Sequence, residues 1–265
     1  MQETLRPRIG WREAGLVLLI VAPLLYLLFV YGAPIPQDRG YHVFADARTC
    51  LGMRNFGNVV SNIAFLLVGA VGTLWCYRNR GTEAVRSWTV FFLGVALVFF
   101  GSGYYHYTPG DESLVWDRLP MTVAFMGLFA ALLSEHLGKE FEHRLLVPAV
   151  VVGIASVVWW KVTDDLRVYI WVQLTPLLVI PYVLAVFPGR YTHRHYLLYG
   201  VGLYALAKVA EYYDHGFYAL VSSALSGHSL KHLVAAAAPF CVYLMLKRRA
   251  STEGESRKSK VGGTT

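Results

Sequence analysis

Long apolar runs separated by short polar segments organise the chain from end to end. With a window of about 19 residues, the runs fall near 14–33, 56–77, 88–107, 115–137, 145–162, 168–187, 196–213 and 228–246. An apolar helix of roughly 20 residues crosses the bilayer core, so the pattern predicts eight membrane-spanning helices and an all-α integral membrane protein. The first run follows Arg6, Arg8 and Arg12 and has the position of a signal peptide. Its apolar stretch exceeds a usual signal core and no small-x-small cleavage site follows, so it is read as a retained helix.

Composition agrees with this reading. Of 265 residues 55% are hydrophobic and 15% charged, and the mean hydropathy is +0.44, which excludes an ordinary water-soluble domain. The formal charge of +7 would suit a nucleic-acid partner only if Lys and Arg formed a patch on a solvated fold. Here they sit in short loops, so no nucleic acid is expected, and no protein partner is evident. Sixteen Lys and Arg fall on one side of the eight predicted spans and six on the other. Positive residues stay preferentially on the cytoplasmic side, which predicts cytoplasmic termini and outer loops at 34–55, 108–114, 163–167 and 214–227. The polar end, 248–265, from Ala250 onward mostly Ser, Thr, Gly, Lys and Glu without an aromatic, is expected to be a disordered, solvated tail. Cys50, Cys76 and Cys241 lack metal-type spacing.

Polar groups inside spans are expensive and need a reason. The third span ends in Gly101-Ser102-Gly103-Tyr104-Tyr105-His106, the fourth begins Trp116-Asp117-Arg118-Leu119-Pro120-Met121, and the eighth begins Gly227-His228-Ser229-Leu230-Lys231-His232. The third runs outward and the other two inward, so all three motifs are predicted near the outer face. Residues four apart share a helix face, which pairs His228 with His232 and Ser102 with His106. His106, His228 and His232 are thus candidate ligands for a catalytic zinc, an ion that favours such nitrogen donors and keeps a fourth position open for water. Asp117 is placed to orient or deprotonate that water, and Ser102 to donate to a developing oxyanion. Asp214 and His215 are candidates for a supporting or substrate contact. Glu211 and Lys208, three apart, are expected to pair, and Lys231 to snorkel outward. His42, His136, His143, His193 and His195 lie in or beside loops and receive no role. The aromatics Trp159, Trp160, Tyr169, Trp171 and Tyr191 read as interfacial anchors.

Gly101-Ser102-x-x-x-His106-x-Thr108, Asp117-x-Leu119-Pro120-Met121 and His228-x-x-x-His232, with Asn58-Val59-Val60-Ser61-Asn62 opening the second span, resemble the alkaline ceramidase family, which is related to the adiponectin receptors. The resemblance covers about residues 56–247. It implies a seven-helix hydrolase bundle over 56–247, preceded by cytoplasmic residues 1–13, an added helix at 14–33 and an outer loop at 34–55. It further implies zinc on His106, His228 and His232, proton handling by Asp117, oxyanion stabilisation by Ser102, and hydrolysis of the ceramide amide to sphingoid base and fatty acid. Relatives carry an acidic amino-terminal calcium-binding segment. Here that segment reads Asp46-Ala47-Arg48-Thr49-Cys50-Leu51, with one acidic residue, so calcium is not expected. The cysteine that pairs with the amino-terminal one in relatives is also absent, with Tyr218 nearby, and no disulfide is expected. The resulting expectation is a zinc-dependent amidase acting on a ceramide-like membrane lipid. The alternatives are a receptor of the adiponectin-receptor kind with a mainly structural zinc, an ester-lipid hydrolase using the same groups, and, last, a transporter, for which the polar residues stop too near one face.

Overall fold

A computed structural model describes residues 10–251. Among them the chain is all-α, and seven helices are long and apolar enough to cross a membrane. Helix α1 (Trp11–Leu25) continues through a π-helical turn, Tyr26–Tyr31. Pro23 within α1 removes one donor from the backbone ladder, and a widened turn follows. The second span is two helices, α2 (Phe56–Ser61) and α3 (Ile63–Arg78). They break at Asn62, whose side chain donates to the carbonyl of Asn58 at 2.7 Å, in competition with the helix's own bonding. Then come α4 (Val85–Tyr107), α5 (Asp111–Leu137), α6 (Glu140–Thr163), α7 (Arg167–Val186), α8 (Tyr196–Tyr212), the short α9 (Asp214–Leu220) and α10 (Gly227–Arg248).

The predicted spans correspond to these helices with shifted ends. Helices α5 and α6 start four to five residues earlier than hydropathy suggests, because Asp111, Glu112, Glu140 and Glu142 occupy their first turns, where the helix dipole favours negative charge. The predicted span at 196–213 is α8, at 17 residues about 25 Å long, shorter than the seven long helices. Residues 248–251, expected as the start of a solvated tail, are instead tied down: Arg249 donates to Glu135 at 2.6 Å, and the Thr192 amide donates to the Ala250 carbonyl at 3.0 Å. A buried carboxylate held there needs a cation, and Arg249 supplies it. The expectations for residues 1–9 and 252–265 lie outside the described residues.

Helix packing between apolar surfaces in lipid depends on close fit rather than on expulsion of water. Helix α4 runs centrally against α3 and α5, α5 against α6 and α7, and α8 against α10. Trp88, Phe92 and Leu132 are fully buried in one cluster, Val172, Val179 and Val183 in a second. A third cluster, Phe44, Tyr105, Leu114, Val157, Trp160 and Tyr169, lies where α4 ends and α5 begins. Helix α1 packs on α7, where Trp171 donates to the Ile20 carbonyl at 2.8 Å and Tyr182 to that of Arg12 at 3.0 Å.

Candidate active site

Two glycines set the geometry of the site. A Cβ at Gly101 would stand 1.9 Å from the carbonyl oxygen of Trp116, so α4 and α5 touch backbone to backbone at the turn carrying Ser102 and Asp117. A Cβ at Gly227 would stand 2.4 Å from the Ala210 carbonyl oxygen and 2.8 Å from the Asp214 Cα, which locks the start of α10 against the end of α8 and the start of α9. Ser226 caps α10 by accepting from the Ser229 amide at 2.9 Å. Asp214 accepts from the His228 amide at 2.8 Å and from the Ala45 amide at 2.9 Å. The Asn55 amide donates to the His106 carbonyl at 2.8 Å, satisfying an end-of-helix acceptor.

These constraints bring His106, His228 and His232 together. All three are buried, their ring centroids are 4.8, 4.8 and 5.0 Å apart, and one nitrogen from each lies within 4.8 Å of the others. Nε2 of His106 is 3.2 Å from Nε2 of His232. Two nitrogens bound tetrahedrally to zinc at 2.0–2.1 Å would be about 3.3 Å apart. Ser61 explains why the His232 nitrogen faces inward. Its hydroxyl donates to the Asn58 carbonyl at 3.1 Å, so its oxygen accepts from Nδ1–H of His232 at 2.7 Å, which leaves Nε2 without a proton. Nδ1 of His106 is buried without a partner. Three buried imidazoles with one nitrogen each this close together fit a divalent metal ion, so the group could hold one.

Ser102 and Asp117 are buried and line one cavity with His232. The cavity measures about 300 Å³ and extends past Phe125 and Tyr204 to Ile180 and Val242. Val242 lies ten residues beyond His232 on α10, about 15 Å along the axis. The wall is polar at the histidine end and apolar elsewhere. Arg118, next to Asp117, is also buried: it stacks on Trp160 at 3.9 Å and Tyr169 at 4.7 Å and donates to Gln37 at 2.5 Å.

Segment 34–55 closes over this end. The Gln37 amide donates to Asp164 at 2.9 Å, Tyr41 to Glu211 at 3.0 Å, and His42 bonds Tyr105 at 3.0 Å and Asp111 at 3.1 Å. Phe44 sets its ring 4.7 Å from His106 and 4.8 Å from His228. The donor set in this segment does not fit calcium. Asp46 is already taken by Arg48, with contacts of 2.8 and 2.7 Å, and the guanidinium holds its carboxyl below the usual range. Tyr218 adds a contact to Asp46 at 3.5 Å. The three cysteines are free.

A model of the ceramidase family matches residues 53–261. The chain belongs to the ceramidase family. Membership implies a hydrolase of the ceramide amide bond in general, with a membrane lipid as substrate. No curated protein matches the chain. The ceramidase match begins after α1 and takes in all five of the sequence-predicted site residues.

Several expectations from the sequence are corrected. Lys231 does not snorkel outward: its ammonium lies 2.8 Å from Nε2 of His228 and 3.0 Å from Glu211, because a buried carboxylate within reach holds it better than the interface does. Lys208 pairs with Glu211, as its spacing suggests. Asp214 makes the supporting contact for which it was a candidate, while His215 takes no part in it. Ser61, Asn55 and Phe44 were not anticipated. Ser61 lies inside the quoted Asn58–Asn62 motif, but a small hydroxyl gives no signal of which ring it meets.

Proposed function

We propose that this ceramidase-family member is a zinc-dependent amidase that hydrolyses ceramide or a closely similar lipid amide within the membrane. The observation that carries the reading is the triangle of buried imidazoles, with one bare nitrogen fixed by Ser61. His106, His228 and His232 would hold the ion. Zinc bound there would supply a Lewis acid and lower the pKa of water to about 7, which would provide a nucleophile at neutral pH.

Asp117 takes the proton of the attacking water and returns it to the departing amide nitrogen. Its burial beside the cavity keeps bulk water from competing for that proton. Ser102, on the facing turn of α4, donates a hydrogen bond to the carbonyl oxygen as negative charge develops. The acyl chain lies along the apolar wall, and Phe44 and segment 34–55 cover the histidines from outside. Residues 56–247 form the hydrolase bundle, 14–33 an added span, and 1–13 and 248–265 face the cytoplasm. The site then faces the non-cytoplasmic side, a reading supported by the sixteen-to-six distribution of Lys and Arg.

The test is amide-lipid turnover by purified protein with bound zinc quantified. Turnover should accompany about one zinc per chain and be lost in His228→Ala and His232→Ala. Unchanged activity in those variants contradicts the proposal. Tight zinc without hydrolysis of amide or ester lipids favours the receptor-like alternative.

A further inference from the structure

Gln173 interrupts an apolar stretch of α7, between Val172 and Leu174, and the reaction above does not use it. A polar side chain inside a membrane span costs free energy unless its groups are bonded. Thr175, two residues on, meets that cost locally by donating to the Trp171 carbonyl at 2.7 Å. Gln173 meets only half of it. Its Nε2 donates to the Tyr169 hydroxyl at 2.8 Å, one turn back on the same helix. Tyr169 is buried, with its ring 4.7 Å from the Arg118 guanidinium, and Arg118 is in turn held by Trp160 and Gln37. The other atom of the Gln173 amide, Oε1, enters no hydrogen bond among the described residues. Gln173 forms part of the cavity wall, so a fixed acceptor stands there without a donor.

The depth of that acceptor restricts its donor. Helices α5 and α7 both start at the end of the bundle that segment 34–55 covers, where His42 meets Asp111 and Gln37 meets Asp164. Asp117 and Gln173 are each the seventh residue of their helix, about 9 Å in, and both line the cavity with Ser102 and His232. Gln173 is therefore level with the groups assigned to the chemistry, and not with the apolar end of the cavity at Ile180 and Val242. At that level every secondary lipid amide carries one donor, the N–H of the bond to be cut. We infer that Gln173 accepts this N–H and makes the site selective for amides over esters of the same shape. This rests on the amidase reading and adds a specificity-determining residue to it. In the reaction, R–CO–NH–R′ and water give R–COO⁻ and ⁺H₃N–R′. The C–N bond breaks, a C–O bond forms, both protons of the water finish on the amine, and Gln173 gains and loses no atom. Its contribution is orientation: an N–H tied to Oε1 fixes the direction in which the nitrogen receives the proton that Asp117 returns.

The experiment compares ceramide with its isosteric ester, in which oxygen replaces the N–H, on the zinc-loaded full chain. Gln173→Met keeps the length of the side chain and suits an apolar span. Its kcat/KM for ceramide should fall about tenfold, the factor expected when one hydrogen bond to a desolvated N–H is lost. Its kcat/KM for the ester should hold or rise, because the ester oxygen has no hydrogen to give and meets Oε1 as a repulsive pair. An ester that binds without being cleaved gives the same comparison through its inhibition constant. Tyr169→Phe keeps the ring beside Arg118 but frees the Gln173 amide to turn, so it should lower the amide-to-ester ratio by a smaller factor, and it carries the test should Gln173→Met not fold. A residue that only supports the fold would lower both substrates together. Equal losses on amide and ester, or no loss on the amide, would overturn the assignment and leave the amidase reading intact. Wild-type protein that cleaves the ester but not ceramide, or neither, overturns both.

Discussion

The Ser61 oxygen stands 2.7 Å from Nδ1 of His232 while its own proton goes to the Asn58 carbonyl. That single contact determines which nitrogen of His232 is bare and turns it toward His106. Partners of this kind change metal affinity or activity by about 10–100-fold when removed. Ser61→Ala should therefore weaken zinc binding by about that factor, measured by competition with a chelator, and raised zinc should restore activity. Unaltered affinity would show that the ring is held by its packing alone.

Asp117→Asn separates proton transfer from metal binding. A carboxylate acting as general acid and base contributes roughly 10²–10⁴-fold, so kcat should fall by that order while zinc content stays at the wild-type level. Loss of zinc instead would make Asp117 a ligand.

Glycine substitutions on α4 should divide sharply. Gly101→Ala drives a methyl group against the Trp116 carbonyl and should destabilise by about 1–3 kcal/mol or more. Gly103, two residues on, has nothing within 4 Å of its would-be Cβ, and Gly103→Ala should be neutral or stabilising by up to about 1 kcal/mol. Thermal unfolding in detergent distinguishes them, and similar midpoints for the two would refute the backbone contact.

The loop before α7 gives a pH signature. Burial alone would raise the Asp165 carboxyl, but hydrogen bonds from the Arg167 side chain and amide and from the Ile35 amide outweigh it and bring the carboxyl down to about 2. A depressed folded-state value contributes stability that is full above the unfolded value, about 4, and disappears as pH falls through about 2. Asp165→Asn should lower the unfolding midpoint at pH 7, and the gap from wild type should close between pH 4 and 2. A gap independent of pH would exclude this charge pair.

Much of this arrangement was legible in the sequence because two regularities coincide. Four-residue spacing puts His228 with His232 and Ser102 with His106, and the alternation of span directions brings the ends of α4, α5 and α10 to one side. Hydropathy windows locate spans but blur their ends, since acidic first turns such as Asp111–Glu112 lower the average without ending the helix. Contacts that depend on exact approach, such as Ser61 with His232 or Phe44 over the triad, come from tertiary packing that no periodicity encodes. Lys231 departs from its expected position for a related reason. Snorkelling is the default for a lysine near a helix end, and only the register of α8 against α10 brings Glu211 within its reach.

The most direct test is a crystal structure of the zinc-loaded protein with anomalous data collected at the zinc edge. One peak should appear about 2.0–2.1 Å from a nitrogen of each of His106, His228 and His232. A protein that hydrolyses lipid amides with no peak there, or with zinc bound elsewhere, would contradict the account.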